Sequence, residues 1–255
     1  MTTHPTPRTL HIYYRHVHIK TDKTSRDPNK ARPEWFSHEN CFRNLMKTVL
    51  RDPQAQRVIV NIIYDGPAQD FQDDFIAKYC ANPELRLQTR LIAGGSDKNS
   101  SLITLHLAHT DALQPEDLVY MLENDYLHQD GWVSKVLEAF DSGLPFQYLS
   151  LYDHQDKYNY AMYEGLRSKV MHTASHHWRT VPSSCASYLM ERRTLDADYD
   201  ILSQGLPDYY FFNILTDERQ RVLVTPVPGL STHCMAGYLS PVVSWDRMAQ
   251  DAAAD

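Results

Sequence analysis

The stretch Leu118-Val119-Tyr120-Met121-Leu122-Glu123-Asn124-Asp125-Tyr126-Leu127-His128 decides how this chain is read. Its apolar first half reads as a buried strand, and that strand ends in two acids, Glu123 and Asp125, one residue apart. In an open α/β sheet, ligands bind just beyond the carboxyl ends of the strands. A carboxylate pair at that point is placed to hold a divalent cation through hard oxygen ligands. The same letters also fit a strand followed by a polar turn, where Asn and Asp recur for backbone reasons. The surrounding sequence favours the first reading.

Outward from this stretch, strand and helix patterns alternate, which points to an α/β fold. Leu10 to His16 reads as the first strand, and Lys20 to Arg32 as a polar loop. Ser37 is placed to cap a helix running to Leu50. Arg57 to Tyr64 is a strongly apolar strand ending in Asp65-Gly66, and Asp70 to Tyr79 reads as a helix. Leu85 to Ile92 is a third strand ending in Gly94-Gly95-Ser96, followed by a helix from Ser100 to Ala112. A helix from about Gly131 to Phe140 follows the acid pair, and Phe146 to Leu151 is another strand. These repeated units predict a largely parallel sheet with right-handed crossovers. The second half is less regular. Tyr152 to Tyr163 reads as a loop, Met171 to Val181 as a hairpin, Cys185 to Leu195 and Asp208 to Thr216 as helices, and Arg221 to Thr225 as a short strand. From Gly229 the tail reads as irregular, with Ala252 to Ala254 frayed.

Composition narrows the class. The chain has 255 residues, 42% hydrophobic and 22% charged, which suits an ordinary globular protein. A formal charge of −7 supplies no global basic field and argues against tight nonspecific nucleic-acid binding. Cys41, Cys80, Cys185 and Cys234 are widely spaced, with neither a zinc-type pair nor a disulfide framework. No apolar segment reaches the roughly 18 residues of a membrane span, and no apolar signal core opens the chain. A reduced, cytoplasmic setting is therefore expected. Sixteen tyrosines and thirteen histidines supply amphipathic rings suited to sugar or base binding, although such rings are also common in cores.

Side by side at the strand ends stand Arg15, Asp65, the Gly94-Gly95-Ser96 turn and the Glu123-Asn124-Asp125 group. In a parallel sheet such ends converge on one edge. Asp65-Gly66 fits a plain turn equally well. Lys98 and Ser100 fit either a solvated helix start or a phosphate contact at a helix N-terminus. His233, in Gly229-Leu230-Ser231-Thr232-His233, follows a short strand and can complete a metal shell begun by carboxylates. Asp208, before Tyr209 and Tyr210, opens an aromatic helix. It suits the helix dipole there, or serves as a general base at the mouth of the cleft. His154 belongs to a cluster with Asp153 and Asp156 that reads as a solvated loop or as a metal or acceptor contact.

The run strand-Asp-Gly, strand-Gly-Gly, Glu-x-Asp-Tyr, Pro-Asp-Tyr and a late Ser-Thr-His resembles a family-2-type glycosyltransferase of the GT-A fold. Residues 119–132, VYMLENDYLHQDGW, are similar to the metal motif of small bacterial and viral members. The resemblance spans roughly residues 8–246. It implies a single GT-A-like α/β domain over 1–255: a mostly parallel central sheet flanked by helices, a nucleotide-sugar half over 8–125, an acceptor and catalytic half over 126–246, and a flexible tail over 247–255. It further implies a Mn²⁺ or Mg²⁺ ion held by Asp125 and His233, and a UDP- or GDP-linked sugar donor. Asp208 is then the base of an inverting transfer. Arg15, Asp65, Lys98, Glu123 and Asn124 are expected against the nucleotide, and His154, Trp178, Tyr209 and Tyr210 against sugar or acceptor. The first acid is Glu123 where Asp is commoner, so its contact with metal or ribose stays open. The acceptor is expected to be a saccharide, with a hydroxylated base in phage-type DNA as the other choice. A metal-dependent phosphoester or nucleotide-sugar hydrolase and a noncatalytic nucleotide-sugar-binding protein are the competing classes.

Overall fold

Runs such as Val58-Ile59-Val60-Asn61-Ile62-Ile63-Tyr64 are too apolar for a sheet with a wet face, and they form strands covered on both sides. The computed structural model describes residues 7–18, 31–83 and 85–254. Most of the loop expected from Lys20 to Arg32 lies outside the described residues. In chain order the elements are β1 (Leu10–Val17), α1 (His38–Arg51), β2 (Val58–Asp65), α2 (Phe75–Cys80), β3 (Leu87–Ile92), α3 (Asp97–Thr110), β4 (Leu118–Glu123) and β5 (Tyr126–His128). There follow α4 (Trp132–Asp141), β6 (Tyr148–Leu149), α5 (Asp156–Asn159), β7 (Val170–His172), β8 (His177–Thr180), β9 (Tyr188–Glu191) and α6 (Arg192–Leu202). The chain closes with α7 (Asp208–Arg219), β10 (Leu223–Val227), β11 (Ser231–His233) and α8 (Trp245–Ala253).

Nine strands form one sheet in the order β3-β2-β1-β4-β9-β6-β10-β8-β7. The first four are mutually parallel, as the repeated strand-helix units predict. β9 enters antiparallel between β4 and β6, and β10 again runs parallel to β6. Only β9 and β8 run against the others, so the expected mixed α/β fold with a mostly parallel, helix-flanked sheet is the one observed.

Alternation along β1 sorts the core. Ile12 and Tyr14 face a layer with Phe42, Leu45, Trp132 and Val136 from α1 and α4. Tyr13 faces the opposite layer with Leu105, Leu195, Phe212 and Leu215 from α3, α6 and α7. A small third cluster, Cys41, Leu127, Cys234, Trp245 and Ala249, ties α8 beneath β5 and β11.

Helix boundaries follow local chemistry. The Ser37 side chain accepts a hydrogen bond from the Asn40 N–H at 3.0 Å, capping α1 as expected. The Met171–Val181 hairpin is present as β7 and β8. The helix expected from Cys185 to Leu195 is instead a loop, the strand β9 and the first turn of α6. Tyr188, Leu189 and Met190 slot between β4 and β6, where pairing on two edges outweighs any helical spacing. The irregular tail expected from Gly229 is also corrected. Ser231–His233 pairs with β5, and α8 buries Trp245, Ala249 and Ala252.

Candidate functional site

Sheet register builds the centre of the site. Arg15 and Glu123 are register partners on β1 and β4, so their side chains meet as an ion pair. The other arm of the Arg15 guanidinium donates to Asp97 Oδ1 at 2.7 Å, at the first turn of α3. Burial pushes the Glu123 carboxyl up from its ordinary range, and the Arg15 charge only partly offsets it.

Asp125 and His233 lie far apart in sequence, and the β5–β11 pairing brings them together. It sets His233 opposite Tyr126 and ties the Cys234 N–H to the Asp125 carbonyl at 2.9 Å. The His233 ring stacks on Tyr126, and its Nε2 donates to Asp125 Oδ2 at 3.0 Å. A third group, absent from the sequence-based expectation, completes this centre. Arg32 donates to Asp125 Oδ2 at 2.7 Å and to the Cys234 carbonyl at 2.9 Å, with its guanidinium over the Phe36 ring. Burial opposes ionisation of Asp125, but His233 and Arg32 outweigh it and hold this carboxyl well below the usual range. Burial likewise opposes a charged His233, and the Asp125 carboxylate overrides it, holding the imidazole well above its ordinary value.

Asp125 Oδ1 is buried and has no hydrogen-bond partner among the described residues. Such an orphaned oxygen, beside a carboxylate–imidazole pair, suits a divalent cation that takes its remaining ligands from a diphosphate. Among the described residues no group of three or more His, Cys, Asp or Glu side chains is gathered to hold a metal ion by protein ligands alone.

Asp208 opens α7, as expected. Its Oδ2 accepts the Ala186 N–H at 2.9 Å and its Oδ1 accepts the Tyr209 N–H at 2.9 Å. Ala186 holds the left-handed conformation at φ 54°, a backbone strain that the native contacts must sustain and that concentrates at functional sites. Burial pushes the Asp208 carboxyl up, more than these hydrogen bonds pull it down. Cys185, the neighbour of Ala186, sits with its Sγ 3.8 Å from His233 Nδ1, so the 184–187 loop links the Asp208 carboxylate to the Asp125–His233 centre.

A cavity of about 460 Å³ opens here, with Lys98, Glu123, Tyr188 and Asp208 in its wall. A larger one, about 570 Å³, lies at the opposite end of the sheet around Arg8, Phe140 and Glu191. Its arginines are already paired, Arg8 with Asp141 at 2.7 Å and Arg221 with Asp198 at 2.8 Å. The cavity at the carboxyl ends of the parallel strands is the one that brings Lys98, Glu123 and Asp208 together, with Asp125 and His233 outside its lining.

The other expected site residues divide between a turn, the core and the edge of the site. Asp65 accepts the Gly94 N–H at 2.8 Å and so braces the turn between β3 and α3. A side chain at Gly94 would stand 2.6 Å from that carboxylate, which is why the turn needs glycine. Asn124 points inward, its amide 3.2 Å from His16 Nδ1. Trp178, expected against sugar, is fully buried in the core and presents no face to a ligand. His154 is tied to Asp156 at 2.8 Å. Tyr209 and Tyr210 are exposed at the start of α7. Arg32, Asp97 and the 184–187 loop escaped sequence reasoning. The small-residue run Ser183-Ser184-Cys185-Ala186-Ser187 was the one available signal of a close backbone approach.

No family model matches this chain, and no curated protein matches it. Among solved structures it is similar to mouse xyloside xylosyltransferase 1 in its apo form, at 10% identity and a TM-score of 0.45, over 86% of this chain and 84% of that one.

Proposed function

We propose that this chain is a single-domain transferase that moves a sugar from a nucleoside-diphosphate donor to an acceptor hydroxyl. The observation that carries the reading is the meeting of Asp125 and His233 at the end of β4, next to a cavity walled by Glu123 and Asp208. Asp125 and His233 would hold a Mn²⁺ or Mg²⁺ ion once the imidazole has given up its proton, and the bound ion would supply positive charge to a departing diphosphate. Arg15 and Lys98 line the approach from β1 and α3, where cationic side chains favour the diphosphate as well. Asp208 takes the proton of the acceptor hydroxyl. Its raised carboxyl brings proton affinity closer to that of a base working near neutrality. Attack from the Asp208 side on the face opposite the diphosphate inverts the anomeric carbon. Tyr209 and Tyr210 flank the base and offer ring faces to the acceptor.

A thermal-shift screen of UDP, GDP and their sugars, with and without Mn²⁺, tests this reading. A saturating ligand at 100 times its dissociation constant adds about 2.7 kcal/mol of stability. Stabilisation by a nucleoside diphosphate that depends on the ion is the expected result. No shift with any of them sinks the proposal. Release of free sugar at the same rate with and without acceptor makes the chain a hydrolase instead.

A further inference from the structure

The cavity beside Asp208 carries a polar set of residues, Asp97, Lys98, Ser101, Glu123 and Asp208, and a larger apolar one. The large apolar side chains are Leu102 and Leu105 of α3, Leu202 of α6, Leu206, Phe211 of α7 and Tyr188 of β9. A polyhydroxylated sugar needs hydrogen-bond partners along its whole length, and buried hydroxyls without them are costly. These six side chains offer only one hydroxyl, on Tyr188. The shape is maintained by backbone: Gly205 holds φ +65° and lies directly against the Lys98 side chain, so the α6–α7 link closes over α3 at that point. A volume of about 460 Å³ falls in the range of pockets for compact organic ligands. The exposed apolar surface continues outward from the same edge, with Leu206, Tyr209 and Tyr210 all at least a third exposed.

We propose that the acceptor is an amphiphile: a hydroxylated head presented to Asp208 and an apolar tail or aglycone seated among Leu102, Leu105, Leu202, Leu206 and Phe211. This rests on the transferase reading above and names its acceptor class. The hydrophobic body gives affinity by leaving water, and the single polar end is held at the base. Reaction at that end forms the new glycosidic bond to the head-group oxygen, whose proton passes to Asp208, while the bond to the diphosphate breaks.

Binding is measured by calorimetry on the full chain with matched methyl, phenyl and octyl glycosides of one sugar, below micelle formation, and with a short DNA duplex. The octyl or phenyl member is expected to bind at least tenfold tighter than the methyl member, the two arms separating a tail from a ring. Leu206→Asp, at a partly exposed position, and Leu102→Asp are each expected to remove that preference. Equal affinity across the series overturns the proposal. So does a preference that survives both substitutions, because the apolar group then binds elsewhere, and so does tighter binding of the duplex than of any glycoside. Nucleoside-diphosphate binding is read on the same samples. Its absence with the octyl preference intact removes the transferase reading and leaves the apolar pocket standing.

Discussion

Asp208 meets two demands that pull in opposite directions. Two backbone N–H groups stabilise its ionised form, while burial makes that form costly, and burial dominates. Asp208→Asn keeps the shape and removes the proton acceptor. Transfer is expected to fall by on the order of 10²–10⁴, the usual cost of losing a positioned base, with donor binding retained. A near-normal rate in the Asn variant assigns the base to another group. Arg32 poses a different question, because its guanidinium sits on the same carboxylate oxygen as His233. A divalent ion approaching Asp125 must compete with a charge-assisted hydrogen bond, worth roughly 1.5–3 kcal/mol. Arg32→Ala is therefore expected to raise Mn²⁺ affinity in the absence of nucleotide by about tenfold or more, counted by paramagnetic resonance of the free ion. Equal affinities in the two proteins show that Arg32 does not obstruct the ion.

At the level of elements, the antiparallel pair β5–β11 is what turns two distant residues into one centre. Three residues on each side form a short pairing, and such ribbons are marginal alone. α8 supports it from below through Trp245, which packs with Leu127 and Cys234 and donates its indole N–H to the Ser240 carbonyl at 2.8 Å. Trp245→Ala opens a large void there and is expected to cost about 3–5 kcal/mol. Because the loss falls under β11, ion-dependent nucleotide binding should weaken more than the drop in stability alone explains. Denaturant titration together with nucleotide binding under conditions where the variant stays folded checks this. Unchanged binding in the folded variant uncouples α8 from the site.

For the whole molecule, the two halves share one continuous sheet, with β3-β2-β1-β4 from the first half joined at β4–β9 to the strands of the second. β9 from the second half lies between β4 and β6, and β10 joins β6. Each core layer draws on both halves, Ile12 and Phe42 with Trp132 and Val136, and Tyr13 and Leu105 with Leu195 and Phe212, so neither half has a core of its own to melt around. We expect a single calorimetric transition whose calorimetric and van't Hoff enthalpies agree. Two resolved transitions would assign the halves to separate domains. Among the described residues no helix is long and apolar enough to cross a membrane.

The parallel half of the fold was legible in the sequence because its strands are buried on both faces and so appear as unbroken apolar runs, each closed by a turn signal. Asp125, after such a run, could be placed at the sheet edge from the letters alone. β9 could not, since Tyr188–Glu191 is short and its strand state depends on finding β4 and β6 on either side. Trp178 illustrates the opposite error: an aromatic side chain looks the same in sequence whether it lines a cleft or fills a core, and only packing decides. Asp125 and His233, 108 residues apart in sequence, were expected to share a metal, but what brings them into direct contact, the backbone pairing of β5 with β11, is tertiary. Arg32 carries no local signal at all. Its role is set by where the folded chain places a buried carboxylate that needs a counter-charge, and that need arises only once the sheet has closed around Asp125.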